Sequence, residues 1–201
     1  MLIERYLQPE EASSPDEQPQ DLVEICFGVP AALAGDVYAL HQTLELTIGT
    51  RAETGYLFTL TSDDARPVCV VRCRHLPAHL LAKAVPVPVL SAGREAAFRV
   101  HATLTMKNGS GQRRPVRHDN SKARTAWLER HAAAGGFRVI GAEHSTSKRW
   151  IERKGRRFWI DDTVFSGRLA VTDEALFTRT MGTGLGHGRA WGFGLLQIRP
   201  D

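Results

Sequence analysis

Tyr38 and His41 lie three residues apart in a segment, 36–48, whose apolar residues Val37, Leu40, Leu44 and Ile48 recur at helical spacing. Residues three apart are neighbours on a helix, so phenol and imidazole share a face beside the apolar stripe. An imidazole with an ordinary pKa of ~6.5 can take or give a proton near neutral pH. A phenol of pKa ~10 is a poor base there and suits orientation instead. Taken alone, such a pair is more often structural than catalytic. The second chemistry-bearing stretch is MGTGLGHGRAWGFGLL (181–196), where six of the thirteen residues from Gly182 to Gly194 are glycine. Glycine lets backbone approach a ligand closely, and successive exposed N–H groups can cradle an anion. Gly186, His187, Gly188 and Arg189 are therefore candidate phosphate contacts, with His187 a second candidate for proton transfer. GTGLGHG partly mimics a dinucleotide fingerprint. That fingerprint opens a helix after the first strand of a βαβ unit, with an acidic residue ~20 positions on. Here the loop follows a helix and precedes the last strand.

Charge points to a polyanion. Residues 1–100 hold 8 basic and 13 acidic residues, whereas 101–201 hold 18 and 9. Within 107–157 there are 14 basic residues against 4 acidic. Such a block attracts phosphate through counterion release, although a solvated face or an anionic lipid surface is also compatible with it. The candidate phosphate-contacting cations are Arg113, Arg114 and Arg117 in a basic loop, Lys122 in the helix after it, Lys148 and Arg149, and Arg153, Lys154, Arg156 and Arg157 around a turn.

Other classes are excluded on composition and spacing. No apolar run approaches the ~20 residues of a membrane span, and MLIERYLQPEE lacks the pattern of a signal peptide. Cys26, Cys69 and Cys73 lack zinc-site spacing and are expected to be buried thiols. His75 and His79 are separated by Pro77 and lack a third ligand, and there is no nucleophile-elbow motif. His101 and His131 are expected at the surface or facing a bound ligand; Trp127, Phe137 and Trp150 are expected in the core.

The elements that must position these residues alternate. Residues 9–20 read as an acidic loop. Strands are expected at 22–28, 54–61, 66–74, 98–107 and 137–142, with two more around the turn 153–156 within 148–171, and a last one at the end of the chain. Helices are expected at 36–48, with Asp36 as N-cap, at 121–134, stopped by Gly135-Gly136, and at 172–181, with Thr172 as N-cap. In 98–107, Phe98, Val100, Ala102, Leu104 and Met106 should face the core, and Arg99, His101, Thr103, Thr105 and Lys107 water. The order approaches β-α-β-β-α-β twice. The expected fold is α+β: tandem ferredoxin-like (RRM-like) domains with antiparallel sheets and a C-terminal glycine-rich loop. The N-terminal domain, 1–92, would carry the Tyr/His helix. The C-terminal domain, 93–201, would carry the basic hairpin and the glycine loop.

The ending GTGLGHGRAWGFGLLQIRP resembles the C-terminal glycine-rich loop of the CRISPR repeat endoribonucleases, most of all the CasE branch of type I-E and some type IV systems. Gly186, Gly188, Arg189, Ala190, Gly192, Gly194, Leu195 and Leu196 fall on that branch's G-x-G-(K/R)-A-x-G-x-G-L-L run. DVYALHQTL (36–44) is similar to its Tyr/His helix, KARTAWLERHAAAGGFRV (122–139) to its Ala-Trp-Leu and Gly-Gly-Phe segment, and RKGRR (153–157) to its basic hairpin. Departures are the acidic stretch before the first helix, Val37 in place of proline, and Gln42 in place of arginine. The resemblance implies metal-independent RNA cleavage with no cofactor, in which a ribose 2′-hydroxyl attacks the adjacent phosphate. His41 would be catalytic and Tyr38 its assistant. It implies a CRISPR repeat RNA or crRNA stem-loop as partner, other subunits of a CRISPR effector complex, a monomer when alone, no membrane, and the prokaryotic cytoplasm. Two readings remain beside it: a non-catalytic subunit that binds the crRNA hairpin, and a nucleotide-binding enzyme using the glycine loop.

Overall fold

β1 (Val23–Gly28) is one of the two inner strands of the first sheet. The computed structural model describes residues 22–63, 66–107, 109–111, 113–117, 119–153 and 155–200. The acidic 9–20 stretch and Lys154 lie outside them. Behind β1 come α1 (Ala31–Gly35), α2 (Val37–Ile48) and α3 (Arg51–Thr54), then the hairpin β2 (Leu57–Asp63) and β3 (Arg66–Cys73). A single helical turn, α4 (Ala78–Leu81), is all that forms in the proline-punctuated stretch, and β4 (Val85–Pro86) closes the sheet. Its order is β2-β3-β1-β4, antiparallel throughout.

The second sheet repeats that arrangement. β5 (Glu95–Ala102) opens it, followed by a small ribbon of β6 (Thr105–Lys107) and β7 (Arg113–Pro115) and by α5 (Ser121–Ala134). Then come β8 (Phe137–Arg153), β9 (Arg156–Val171), α6 (Glu174–Thr183) and β10 (Leu196–Pro200). The order β10-β5-β9-β8 places the fourth strand beside the first and the third beside the second, as in the first sheet. The fold is α+β with tandem ferredoxin-like units. Among the described residues no helix is long and apolar enough to cross a membrane.

Residue parity explains how the two sheets share one molecule. On β3, Cys69, Val71 and Cys73 pack with Val37, Leu40, Leu44 and Ile48 of α2. Val70 faces the opposite way, toward Leu57 and Leu195, and the Arg72 guanidinium donates to the Met181 carbonyl (3.1 Å) while paired with Glu24. Both faces of β3 are thus covered, so its run reads as continuously apolar rather than alternating. Burial pushes the Cys69 thiol up to about 12 and the Cys73 thiol to about 11. Cys26 is exposed, contrary to expectation, because it points off the uncovered side of β1.

Four further expectations are corrected. Residues 137–153 form one strand, since the polar 143–147 segment pairs one-to-one with β9. The strand expected at 98–107 breaks at Thr103-Leu104, where Thr103 bridges to His187 and the Leu104 N–H donates to Asp161 Oδ2 (3.2 Å). The N-cap of α6 is Asp173, whose carboxylate accepts from the Leu176 N–H, one residue beyond Thr172. Trp150 is 51% exposed, whereas Trp127 and Phe137 lie in the core.

Candidate active site

Asp36 starts α2 by accepting from the N–H groups of Tyr38 (3.1 Å) and Ala39 (3.0 Å). Such a cap fixes the first turn, and the buried Val37/Leu40/Leu44/Ile48 stripe then fixes the helix's rotation. Tyr38 and His41 consequently project from the side of the helix that meets the glycine loop. Tyr38 packs against Trp191 (centroids 5.9 Å). The His41 ring lies parallel to Phe58 (6.2 Å, 3°), with 14% of its side chain still exposed.

His41 Nδ1 lies 2.8 Å from the hydroxyl of Tyr56, which also lies 3.4 Å from the His41 carbonyl. Tyr56 is completely buried, and burial raises its pKa, so the phenol keeps its proton. When Nδ1–H donates to the phenol oxygen, the hydroxyl hydrogen is free to point at the His41 carbonyl. Nε2 then carries the lone pair and can gain and lose a proton without the ring turning. Burial lowers the His41 pKa; Glu45, 3.6 Å from Nε2, opposes this, and Arg51 and Arg153 reinforce it. The imidazole is therefore mainly neutral at pH 7. Tyr56 was not legible as a site residue, because in sequence it is one more aromatic at a strand start.

The glycine loop covers this stack. Residues Arg189–Trp191 form a 3-10 turn bounded by Gly188 (φ +79°) and Gly192 (φ +77°). A Cβ on Gly188 would meet the Thr103 methyl at 2.7 Å, and one on Gly192 would meet Phe58 at 3.1 Å. These two positions need glycine both for backbone sign and for approach. Gly186 rests on Trp127. His187 is exposed, and the half-buried Arg189 reaches the Gly184 carbonyl (3.5 Å) while its Nε has no hydrogen-bond partner among the described residues.

The β8–β9 hairpin supplies the other wall. Ile151 anchors in the core beneath α2, and the Arg153 guanidinium lies over both Tyr38 (5.6 Å) and Trp191 (5.9 Å). Arg156 and Arg157 are exposed at and beside the tip, with Arg157 over Trp150 (4.7 Å). Lys148 is exposed over Trp159 (5.1 Å). Arg149 turns inward instead: it pairs with Asp162, donates to the Trp191 carbonyl (3.1 Å) and covers Phe193 (4.7 Å). In this arrangement it holds the loop, unlike the exposed cations beside it. Arg114 and Lys122 are exposed, and Arg117 is exposed and paired with Asp119. The Arg113 side chain and Lys154 lie outside the described residues.

His101 is 8% exposed and 3.5 Å from Asp162, not on a wet face. Burial would raise the Asp162 carboxyl, but His101 and Arg149 together bring it below the usual carboxylate range. His131 stacks on Trp127 (3.9 Å) and bonds the Trp127 carbonyl, which leaves it half-buried and away from His41.

A family model described as CRISPR associated protein matches residues 15–200. The chain belongs to the CRISPR-associated protein family. Within that family the resemblance to the CasE branch holds. Over 129 residues the chain is 29% identical to the CRISPR-associated endoribonuclease Cse3 of Thermus thermophilus; the match covers 56% of this chain and 59% of that protein. The chain thus spans less than two thirds of that curated relative's length. Among solved structures, Thermus thermophilus Cse3 bound to an RNA representing a pre-cleavage complex is 25% identical, with a TM-score of 0.73, covering 89% of this chain and 98% of that one. A second Cse3 structure, bound to 19 nt RNA, gives 24% identity and a TM-score of 0.74, covering 89% and 99%.

Proposed function

We propose that this CRISPR-associated protein is a metal-independent endoribonuclease that cleaves repeat hairpins in precursor crRNA. The observation that carries the reading is the His41 imidazole, held by Tyr56 and Phe58 beside a hairpin that lays Arg153 over Tyr38 and a glycine loop that carries Arg189. A ribose 2′-hydroxyl would give its proton to His41 Nε2 as the 2′-oxygen bonds to phosphorus. The P–O5′ bond then breaks and the 5′-oxygen takes up a proton. The products are a 2′,3′-cyclic phosphate and a 5′-hydroxyl. The Tyr38 hydroxyl orients the ribose or phosphate, while Gly186, His187, Gly188 and Arg189 cradle the phosphate. The 1–92 domain carries the proton-transfer helix and the 93–201 domain the hairpin grip. The cut hairpin stays bound, and the protein serves as a subunit of a CRISPR effector complex. The Cse3 structure with an RNA representing a pre-cleavage complex supports the RNA-processing part of this reading.

The test is cleavage of the cognate CRISPR repeat RNA in excess EDTA. A single cut leaving a cyclic phosphate is expected; retention of intact repeat at every pH would instead establish a hairpin-binding subunit without catalysis.

A-form stems are gripped through phosphate and 2′-hydroxyl groups, so the exposed Arg156 should act through charge. Replacing Arg156 by alanine is expected to reduce the log–log salt slope of hairpin binding by ~0.7–0.9, one phosphate contact. An unchanged slope in a binding titration over salt would remove Arg156 from the interface.

A further inference from the structure

Arg51 is a guanidinium that the sequence motifs did not single out. It opens α3, which is held by a capping box between Thr50 and Glu53. Its Nε donates to the Tyr56 carbonyl (3.1 Å), and Tyr56 is the residue whose hydroxyl holds His41. One residue therefore fixes both the imidazole and Arg51. Among the described residues no carboxylate forms an ion pair with Arg51, Arg153 or Arg189. Arg153 reaches Tyr38 and Trp191 from the hairpin, Arg189 lies near Arg51 on the glycine loop, and the Arg189 Nε has no partner among the described residues. Among the described residues the acidic group beside this cluster is Glu45, which lies 3.6 Å from His41 Nε2 and also acts on Arg51. Burial lowers the Arg51 pKa, and the nearby Arg189 charge lowers it further. Cations gathered in this way, Arg51 and Arg153 near His41 and Arg189 near Arg51, repel one another unless an anion joins them.

We infer that Arg51 contacts the scissile phosphate and, opposite Arg189, stabilises the charge that develops on its non-bridging oxygens during 2′-hydroxyl attack. This deepens the nuclease reading and rests on it. Preorganised cations at such a position act where charge appears in the transition state. The Tyr56 carbonyl keeps Arg51 from collapsing onto Glu45, so the charge is already in place when RNA arrives.

The experiment is single-turnover cleavage of the same repeat RNA by the full chain and by Arg51→Gln, Arg51→Lys and His41→Ala. It is accompanied by thermal melts and by substrates with Rp or Sp phosphorothioate at the cut. Glutamine can still donate to the Tyr56 carbonyl but carries no charge, so a role confined to positioning predicts near-normal cleavage. The expected result is a ~10²–10³-fold slower Arg51→Gln with an unchanged melt, partial recovery in Arg51→Lys, and loss of the wild-type difference between the two phosphorothioates. Wild-type rate and stereoselectivity in Arg51→Gln would overturn the inference while leaving the nuclease reading intact. Full activity in His41→Ala, or an uncut repeat with the wild-type chain, would overturn the nuclease reading and the inference with it.

Discussion

His41→Ala is expected to bind repeat RNA as tightly as the unaltered chain and to cleave it ~10²–10⁴-fold more slowly, the usual worth of a positioned proton-transfer group. The separation follows from geometry. The His41 ring is held by Tyr56 and Phe58, whereas the exposed cations lie on the hairpin and the loops. The pH dependence supplies the sign. Burial depresses the His41 pKa below 6.5, Glu45 works against that, and Arg51 and Arg153 work with it. A protonated ring cannot accept the 2′-hydroxyl proton. The wild-type rate should therefore be level through neutral pH and fall only as pH drops through this depressed pKa. Single-turnover rates across the acid range check this. A rate that climbs as pH falls would make His41 the acid that serves the leaving oxygen.

Asp161→Ala is expected to destabilise the protein by ~3–5 kcal/mol, because it leaves a buried guanidinium unpaired. Arg124 and Asp161 have no side-chain exposure. Arg124 Nη2 donates to Asp161 Oδ1 (2.8 Å) and Nη1 to Asp161 Oδ2 (3.2 Å) and to the Thr163 hydroxyl. The same carboxylate accepts from the Leu104 N–H and the Thr163 hydroxyl, and Arg124 also bonds the Val116 carbonyl. One ion pair thus joins α5, β9, the end of β5 and the basic loop. For a chain of this length ~1 kcal/mol corresponds to ~2–4 °C in Tm, so a fall of order 10 °C is expected. Arg124→Met in the same chain should recover much of it, since apolar replacement of a buried pair is often neutral. A melt of Asp161→Ala within 2 °C of wild type would show that water reaches the pair.

Much of this was legible early. The α2 stripe, the Asp36 cap, the helix 121–134 and the glycine stop after it are local matters, set by side-chain period and capping, and they appear where the residues place them. The Tyr38/His41 pair was legible for the same reason. Long-range partners were not. Nothing local separates Tyr56 from a core aromatic, or Arg51 from a surface arginine, until β2 is laid beside α2. His101 kept the alternation of a wet-faced strand, but the first unit and the Asp162–Arg149 pair cover that end of β5. Arg149 alternates with Lys148 on β8, so one points in and the other out, and only the sheet's position decides which.

Composition and periodicity determined the class of fold, the helix that carries Tyr38 and His41, and the cationic second half, because those follow from propensity and from charge that is simply counted. The tertiary structure decided which charges remain available. Pairing β8 with β9 far beyond the sheet carries Arg153 to Tyr38, and the turn at Arg189–Trp191 packs Trp191 on Tyr38. Both depend on contacts between residues more than a hundred positions apart, whose cost in chain entropy is met only by the assembled core.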